Sequence, residues 1–433
     1  MSKRSKNKTV YVLGAGFSAG AGLPVQSRIL GNILSKLGYS FSGILATETE
    51  EKFQQDLDEK IAQLSTFIET SFPHPDQLLE DIFTLLEQTI AADGHFKGFG
   101  RSALQEIRAT WIDVLVGYFH ALTTGYLESG ATVGQRFTAA LLQKRIQAGL
   151  ESDQISIVSL NWDSLIEDSF YQVLEQTGGI GKGDIDFCIY TSPLEDSPHT
   201  PSTKQKAGGI FNLKLLKLHG STNWLRCPNS NRIYTALGSA KNPYELYVCP
   251  RKSPFIEEHF TDSGEAEDSP FLEPFIITPS FSKVFDQPHI QTTWQNAYVE
   301  LREASKIVFI GYSLPDADYH FRTLLRRAIR DETELLIVLH SNDAPTVENP
   351  DEMEEETNRI EELHPEPSPT ILRYEKLFGK KKVEQSVRFN GMEALVDEML
   401  PESEFTSALS FIKEQLIRHK TYKDFQTLPE EPA

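Results

Sequence analysis

The chain predicts an α/β fold, a doubly wound parallel sheet of about six strands, and three observations carry that reading. Six short runs dense in Ile, Val, Leu and Phe stand apart along the chain: Thr9–Leu13, Ile155–Leu160, Leu213–Leu218, Phe275–Thr278, Lys306–Ile310 and Leu335–Leu339. Helical or long polar segments separate them, the pattern of strands buried on both faces of a parallel sheet. The first run enters a glycine-dense turn, TVYVLGAGFSAGAGLP over Thr9–Pro24, which reads as strand, tight turn and helix start. Small and polar residues follow four of the other runs directly, where a doubly wound sheet gathers its ligand site.

Taken in order, the elements agree with a Rossmann-like arrangement carrying a large helical insertion and a small C-terminal appendage. After Pro24, Ile29, Leu30, Ile33, Leu34 and Leu37 recur on one helical face, so this segment should pack on the sheet. Strand signals then fade through residues 38–150, an insertion in which Leu78, Leu79, Ile82, Leu85 and Leu86 keep helical spacing and Trp111, Tyr118 and Phe119 read as core. Residues 178–209 and 252–270 are irregular and polar, excursions or lids over the sheet. Residues 1–345 are expected to form the catalytic domain and 346–433 the appendage. In the latter an acidic run over 348–362 is a solvated segment, Thr370–Tyr374 reads as a strand, and 392–399 and 405–419 read as amphipathic helices.

Composition removes several function classes. With 42 basic and 62 acidic residues the net charge is −20, which argues against a broad phosphate-binding surface, so no direct nucleic-acid contact is expected. Three cysteines, Cys188, Cys227 and Cys249, are too few and too oddly spaced for a disulfide framework or a four-thiolate zinc site. A cytoplasmic protein is expected. The basic N-terminus MSKRSKNK leads into a glycine-broken strand rather than an apolar helix, so it reads as a tail and not a signal sequence. No apolar run reaches the roughly eighteen residues of a membrane span.

The candidate site residues are those at the strand ends. Gly14, Ala15, Gly16 and Ser18 lie in the first turn, Asn161, Trp162 and Asp163 follow Leu160, and His219, Gly220 and Ser221 follow Leu218. Gly311, Tyr312, Ser313 and Asp316 follow Ile310, and Ser341 and Asn342 follow the last run. A glycine turn can present amide N–H groups to a phosphate, although the acid expected about twenty residues on in a dinucleotide fingerprint is missing. Each residue also has a plainer reading. The glycines could only pack strand on helix, His219 could be a satisfied core histidine, Asp163 could cap a helix and Asn342 could be a turn residue. Convergence on one crevice is what would make them a site.

The order and placement of these motifs resemble the sirtuins. Gly14-Ala-Gly-Phe-Ser-Ala-Gly-Ala-Gly-Leu-Pro24 resembles the sirtuin nucleotide loop, Asn161-Trp162-Asp163 its Asn-x-Asp element, and His219-Gly220 its catalytic histidine. Gly311-Tyr-Ser-Leu-Pro-Asp316 is similar to a segment of the bacterial sirtuin-like branch that acts in antiviral defence. The resemblance spans Thr9 to Asn342, the insertion and lids excepted. Three departures separate the chain from protein-deacylating sirtuins. Val25-Gln26-Ser27 replaces an Asp-Phe-Arg triplet, the four-cysteine module is absent so no zinc is expected, and the long insertion is more like the defence branch.

The resemblance implies NAD as substrate, with Gly14, Ala15, Gly16 and Ser18 at the pyrophosphate and Gly311, Ser313 and Asn342 at the adenosine end. It implies Asn161 at the nicotinamide ribose or the attacking water, Asp163 at the carboxamide, and His219 as general base. The expected activity is NAD hydrolysis to nicotinamide and ADP-ribose in anti-phage defence. Such an enzyme needs restraint, so a homo-oligomer or a partner such as a hexameric ATPase or an Argonaute-type protein is expected. The alternatives are an NAD-dependent deacylase and a non-catalytic NAD or ADP-ribose sensor.

Overall fold

The computed structural model describes residues 8–36, 62, 64–72, 79–127, 132–149, 153–178, 185–188, 192–193, 211–235, 272–283, 285–340 and 368–426. Strand β1 (Thr9–Leu13) is buried along its whole length, as its unbroken apolar and β-branched sequence requires. It pairs in parallel with β2 (Ile155–Ser159) on one side and β7 (Lys306–Ile310) on the other, Leu13 standing opposite Ser159 and Ile310. With β3 (Lys214–Lys217), β8 (Glu334–Val338) and β9 (Val387–Arg388) they form one six-stranded parallel sheet, in the order β9-β8-β7-β1-β2-β3. The chain therefore builds outward from β1 in one direction and then returns to build outward in the other. The reversal falls between β1 and β7, and in such a sheet the crevice opens beyond the carboxyl ends of those two strands.

Helices cover both faces. On one, α5 (Val133–Gln147), α6 (Leu165–Gln176), α10 (Gly391–Met399) and α11 (Phe405–Gln426) bury Phe137, Phe170, Val396 and Ile412 against Tyr11, Ile157 and Leu215. On the other, α7 (Pro288–Glu303), α8 (Tyr319–Ala328) and α9 (Pro369–Phe378) bury Leu301, Phe321 and Tyr374 against Val10, Val158 and Phe309. The expected α/β class is what the chain adopts. A separate core joins α2 (Gln26–Lys36) to α3 (Leu79–Ala91) and α4 (Arg101–Leu127), with Trp111, Phe83 and Leu115 wholly buried in it. Trp111, Tyr118 and Phe119 are core residues, as their spacing predicts.

Two expectations fail. The run at Phe275–Thr278 does not join the parallel sheet; β6 (Glu273–Ile276) pairs antiparallel with β4 (Gly220–Arg226), which also pairs with β5 (Ile233–Thr235). A four-residue apolar run does not declare its partner, and Gly220, at a φ of +74°, turns the chain out of β3 straight into this second sheet. The sixth strand of the main sheet is instead Val387–Arg388, two residues long and so without periodicity to detect. Thr370–Tyr374 is not a strand but the first half of α9. Ser368 caps that helix by accepting from Ile371 N, and Pro369 occupies its first turn. The β-branched pair Thr370-Ile371 is overridden by the cap and by burial of Thr370, Ile371 and Tyr374 on one helical face.

Among the described residues no helix is long and apolar enough to cross a membrane.

Candidate active site

The turn after β1 and the turn after β7 touch backbone to backbone. Gly14 N–H donates to Ile310 O at 3.0 Å and Gly16 N–H donates to Gly311 O at 2.8 Å. A Cβ on Gly14 would lie 2.5 Å from Tyr312 Cα, one on Gly16 2.6 Å from Gly311 Cα, and one on Gly311 2.3 Å from the Gly16 carbonyl carbon. Gly311 also sits at a φ of +59°, open to glycine at little cost. These glycines are therefore required for close approach of the two turns across the switch point. The same contacts use the Gly14 and Gly16 amides, and the helix that follows, α1 (Ala15–Ala19), spans only five residues. An anion here would meet fewer free amides than the sequence suggests, with the Ala15 amide nearest to hand and the Ser18 hydroxyl hydrogen given to Asp163.

The Asn161 and Asp163 side chains tie this turn to the end of β2. Asn161 Nδ2 donates to Gly14 O at 2.9 Å and to Ser18 Oγ at 3.0 Å. Both Nδ2 hydrogens are thereby used, and Oδ1 is left as the acceptor for a ligand hydroxyl or water. Ser18 Oγ donates to Asp163 Oδ2 at 2.8 Å, while Asp163 Oδ1 accepts from Leu165 N at 3.1 Å. Asp163, the residue before the N-cap Ser164, thus holds the first amide of α6 and Ser18 together, and it is 4% exposed. Each of its oxygens retains one lone pair. Beneath it the wholly buried Lys217 ammonium donates to Glu167 Oε1 at 2.8 Å, to Ser221 Oγ at 2.7 Å and to the Asp163 carbonyl.

His219 stands at the end of β3, 5% exposed. Its Nδ1 lies 3.2 Å from Leu160 O, an acceptor only, so Nδ1 carries the hydrogen and Nε2 keeps its lone pair. Burial above all, and then the neighbouring Lys283 charge, push the imidazole down from its ordinary value to about 4, against the opposing pull of Asp318. It is neutral at pH 7. Asp318 Oδ1 lies 3.7 Å from Nε2, too far for a hydrogen bond. That carboxylate accepts from Lys283 Nζ through Oδ1 and from Tyr312 OH, at 2.9 Å, through Oδ2. Burial alone would raise the Asp318 carboxyl, but His219, Lys283 and Tyr312 outweigh it and hold it below its ordinary range. The backbone carbonyl of Tyr312 accepts from Tyr374 OH at 2.7 Å, which pins the loop to α9.

One cavity of about 940 Å³ lies among the ends of these strands, and Lys283, Tyr312 and Asp318 border it. Gly14, Ala15, Gly16, Ser18, Asn161, Asp163, His219, Gly311 and Ser313 border it, so nine of the ten residues to which the resemblance assigns a role share one crevice, while Gly220, Ser221 and Asp316 do not border it. Asn342, the tenth, lies outside the described residues, as does Ser341. Near the ends of β7 and β8 the lining also takes His340, Asn390, Gly391 and Glu393, so the C-terminal region reaches the crevice. Sequence reasoning missed Lys283 and Asp318 and favoured the wrong acid of the Pro315-Asp316-Ala317-Asp318 stretch. Asp316 pairs with Arg322 at the surface, its side chain 71% exposed, whereas Asp318 is buried. Asp318 is marked only by the meeting of its carboxylate with Lys283 and His219, which the fold brings from distant parts of the chain; Lys283 is a lone lysine in a loop and carried no signal at all.

No protein-family model matches the chain, and no curated protein matches it either. Among solved structures it is similar to a Sir2 homologue in complex with NAD, at 12% identity over 93% of this chain and 91% of that one, with a TM-score of 0.39. A mutant Sir2 homologue with 2′-O-acetyl ADP ribose is similar at 13% identity over 93% of both chains, with a TM-score of 0.37. Another mutant, bound to ADP ribose, covers 98% of this chain and 96% of its own at 11% identity and a TM-score of 0.34. At these values the likeness is distant, and the functional reading rests on the residues of the crevice.

Proposed function

We propose that this chain is an NAD glycohydrolase that cleaves NAD to nicotinamide and ADP-ribose. The observation that supports it most is the pairing of a neutral, oriented imidazole at the end of β3 with an Asn161 carbonyl oxygen held open at the end of β2, both bordering one crevice. In this reading the pyrophosphate lies against the Ala15 amide and Ser18, and the adenosine lies toward Gly311, Ser313 and Asn342. Asp163 receives the nicotinamide carboxamide on its remaining lone pairs. The C–N glycosidic bond breaks with its electron pair leaving on nicotinamide, and the positive charge that develops on the ribose is met by oxygen acceptors. Asn161 Oδ1 orients the attacking water. His219 Nε2 takes the water proton as the new C–O bond forms.

Water rather than an acyl-lysine is the acceptor in this proposal. An acylated lysine would have to bring its carbonyl to the ribose beside His219, and that flank holds the buried Lys283–Asp318 ion pair, with side chains 4% and 8% exposed. By the resemblance to the defence branch, we further propose an anti-phage effector that depletes NAD and is restrained by oligomerisation or by a partner protein.

Pure protein incubated with NAD alone is expected to release nicotinamide and ADP-ribose in equal amounts, read by chromatography. Release that depends strictly on an acylated peptide would replace hydrolysis with deacylation, and binding of NAD with no turnover in any assembly state would leave a sensor. Asn161→Ala is expected to lower turnover by about 10²-fold, the scale of losing one positioned polar group at a reacting centre. Full turnover in that variant would remove Asn161 from the mechanism.

A further inference from the structure

We infer that Asp318 and Lys283 form an opposed charge pair that adjusts the proton affinity of the buried His219, Asp318 favouring its protonated form and Lys283 its neutral form. The catalytic consequence rests on the hydrolase reading; the charge coupling itself does not. Asp318 Oδ1 is shared ground: Lys283 Nζ donates to it, and His219 Nε2 faces it at 3.7 Å. His219, Asp318 and Lys283 have side chains only 7%, 8% and 4% exposed, so little water stands between the charges to screen them.

The three groups come from three separate parts of the chain, so their meeting is a product of the fold. Lys283 follows β6, Asp318 precedes α8 and His219 ends β3. Other groups also face the cluster. Tyr312 OH donates to Asp318 Oδ2, His320 of α8 and Glu80 of α3 lie within reach of the field of the pair, and the Trp294 ring of α7 stands 6.3 Å from the imidazole. Of these, Tyr312 and Trp294 are uncharged, and among the described residues Asp318 and Lys283 are the buried charged side chains beside Nε2.

A consequence follows for the proton transfer. When Nε2 takes the water proton, the new N–H can close on Asp318 Oδ1 by a movement of under about 1 Å. The carboxylate then serves two cations, Lys283 and the imidazolium. Asp318 is thus a positioning residue that acts through His219, and Lys283 limits how far the imidazole can hold its proton. Burial is the largest cause of the low proton affinity of His219, with Lys283 adding to it and Asp318 opposing it.

The test follows the His219 ring by NMR pH titration in the full-length protein, with NAD turnover measured separately across pH. Lys283→Met is expected to raise the titration midpoint by about one pH unit or more, Lys283→Arg to leave it near the wild type, and Asp318→Asn to move it downward. In turnover the acid limb should move the same way as the NMR midpoint while KM for NAD stays within about two-fold. A midpoint unmoved by Lys283→Met, or moved equally by Met and Arg, overturns the proposal. Should Asp318→Asn fail to fold, the Met and Arg pair at position 283 decides it alone. Opposed shifts in a protein that does not cleave NAD would keep the charge pair and reject the hydrolase; turnover with no shift would do the reverse.

Discussion

His219→Ala is expected to lower NAD turnover by about 10²–10⁴-fold, the range of a lost general base. The imidazole can act as one because its Nδ1–H is held on Leu160 O and its Nε2 lone pair borders the crevice. The loss should fall on kcat, since the turn around Gly14 and the far end of the crevice, where NAD would gain its affinity, are unchanged. His219→Asn, whose Nδ2 takes the place of the ring Nδ1 and can still donate to Leu160 O, should fold normally and lose the same activity. That variant separates chemistry from packing, and wild-type rates in it would end the assignment. The pH dependence has a definite sign. Burial lowers the folded-state value to about 4, below the ordinary 6.5, so the lone pair is available throughout the neutral range and activity falls only as pH approaches 4. The same shift makes the unfolded chain the better proton acceptor. The stability that His219 contributes is present above pH 6.5 and is lost as pH falls through the window between the two values.

Gly311→Ala should be the most destabilising single-methyl change at the site. Its Cβ would stand 2.3 Å from the Gly16 carbonyl carbon and 2.4 Å from Phe17 N, both backbone atoms with no flexible end to swing away. The residue would also be held at a φ of +59°. Strain at the backbone and overpacking together should cost about 2–5 kcal/mol, seen as a fall in Tm and in soluble yield. Activity should drop with it, because the β1 and β7 turns would separate. Gly31→Ala is the matched control. It adds the same methyl in α2 with nothing within 4 Å of its Cβ, and it should leave stability level or raise it by up to about 1 kcal/mol. Equal melting temperatures for the two variants would show that the close approach of the turns is unimportant.

Much of the fold was legible because it depends on local pattern. Apolar runs of five residues or more, such as Lys306–Ile310 and the one beginning at Ile155, read as buried strands, and they became the parallel sheet. The C-terminal helices declared themselves through periodicity. Short elements were not legible: Val387–Arg388 is a strand only because β8 lies beside it, and Phe275–Ile276 joined β4 because Gly220 turns the chain there. At Thr370 the β-branched residues pointed one way and the Ser368-Pro369 cap the other, and the cap prevailed together with packing.

The sequence by itself determined the sheet class and nominated the residues of the crevice, because the carboxyl ends of parallel strands meet wherever such a sheet forms. Gly14, Asn161, His219 and Gly311 needed no knowledge of distant contacts to be nominated. What each of them does was decided by tertiary structure. The glycines serve the approach of two turns that are nearly three hundred residues apart, 311 − 14 being 297. Asp163 accepts from the first amide of α6 and anchors Ser18 as well as being a candidate ligand group. The charge environment of His219 comes from Lys283 and Asp318, which no spacing connects to it. Proton affinity depends on burial and on charges a few ångströms away through space, and neither quantity is written in local sequence.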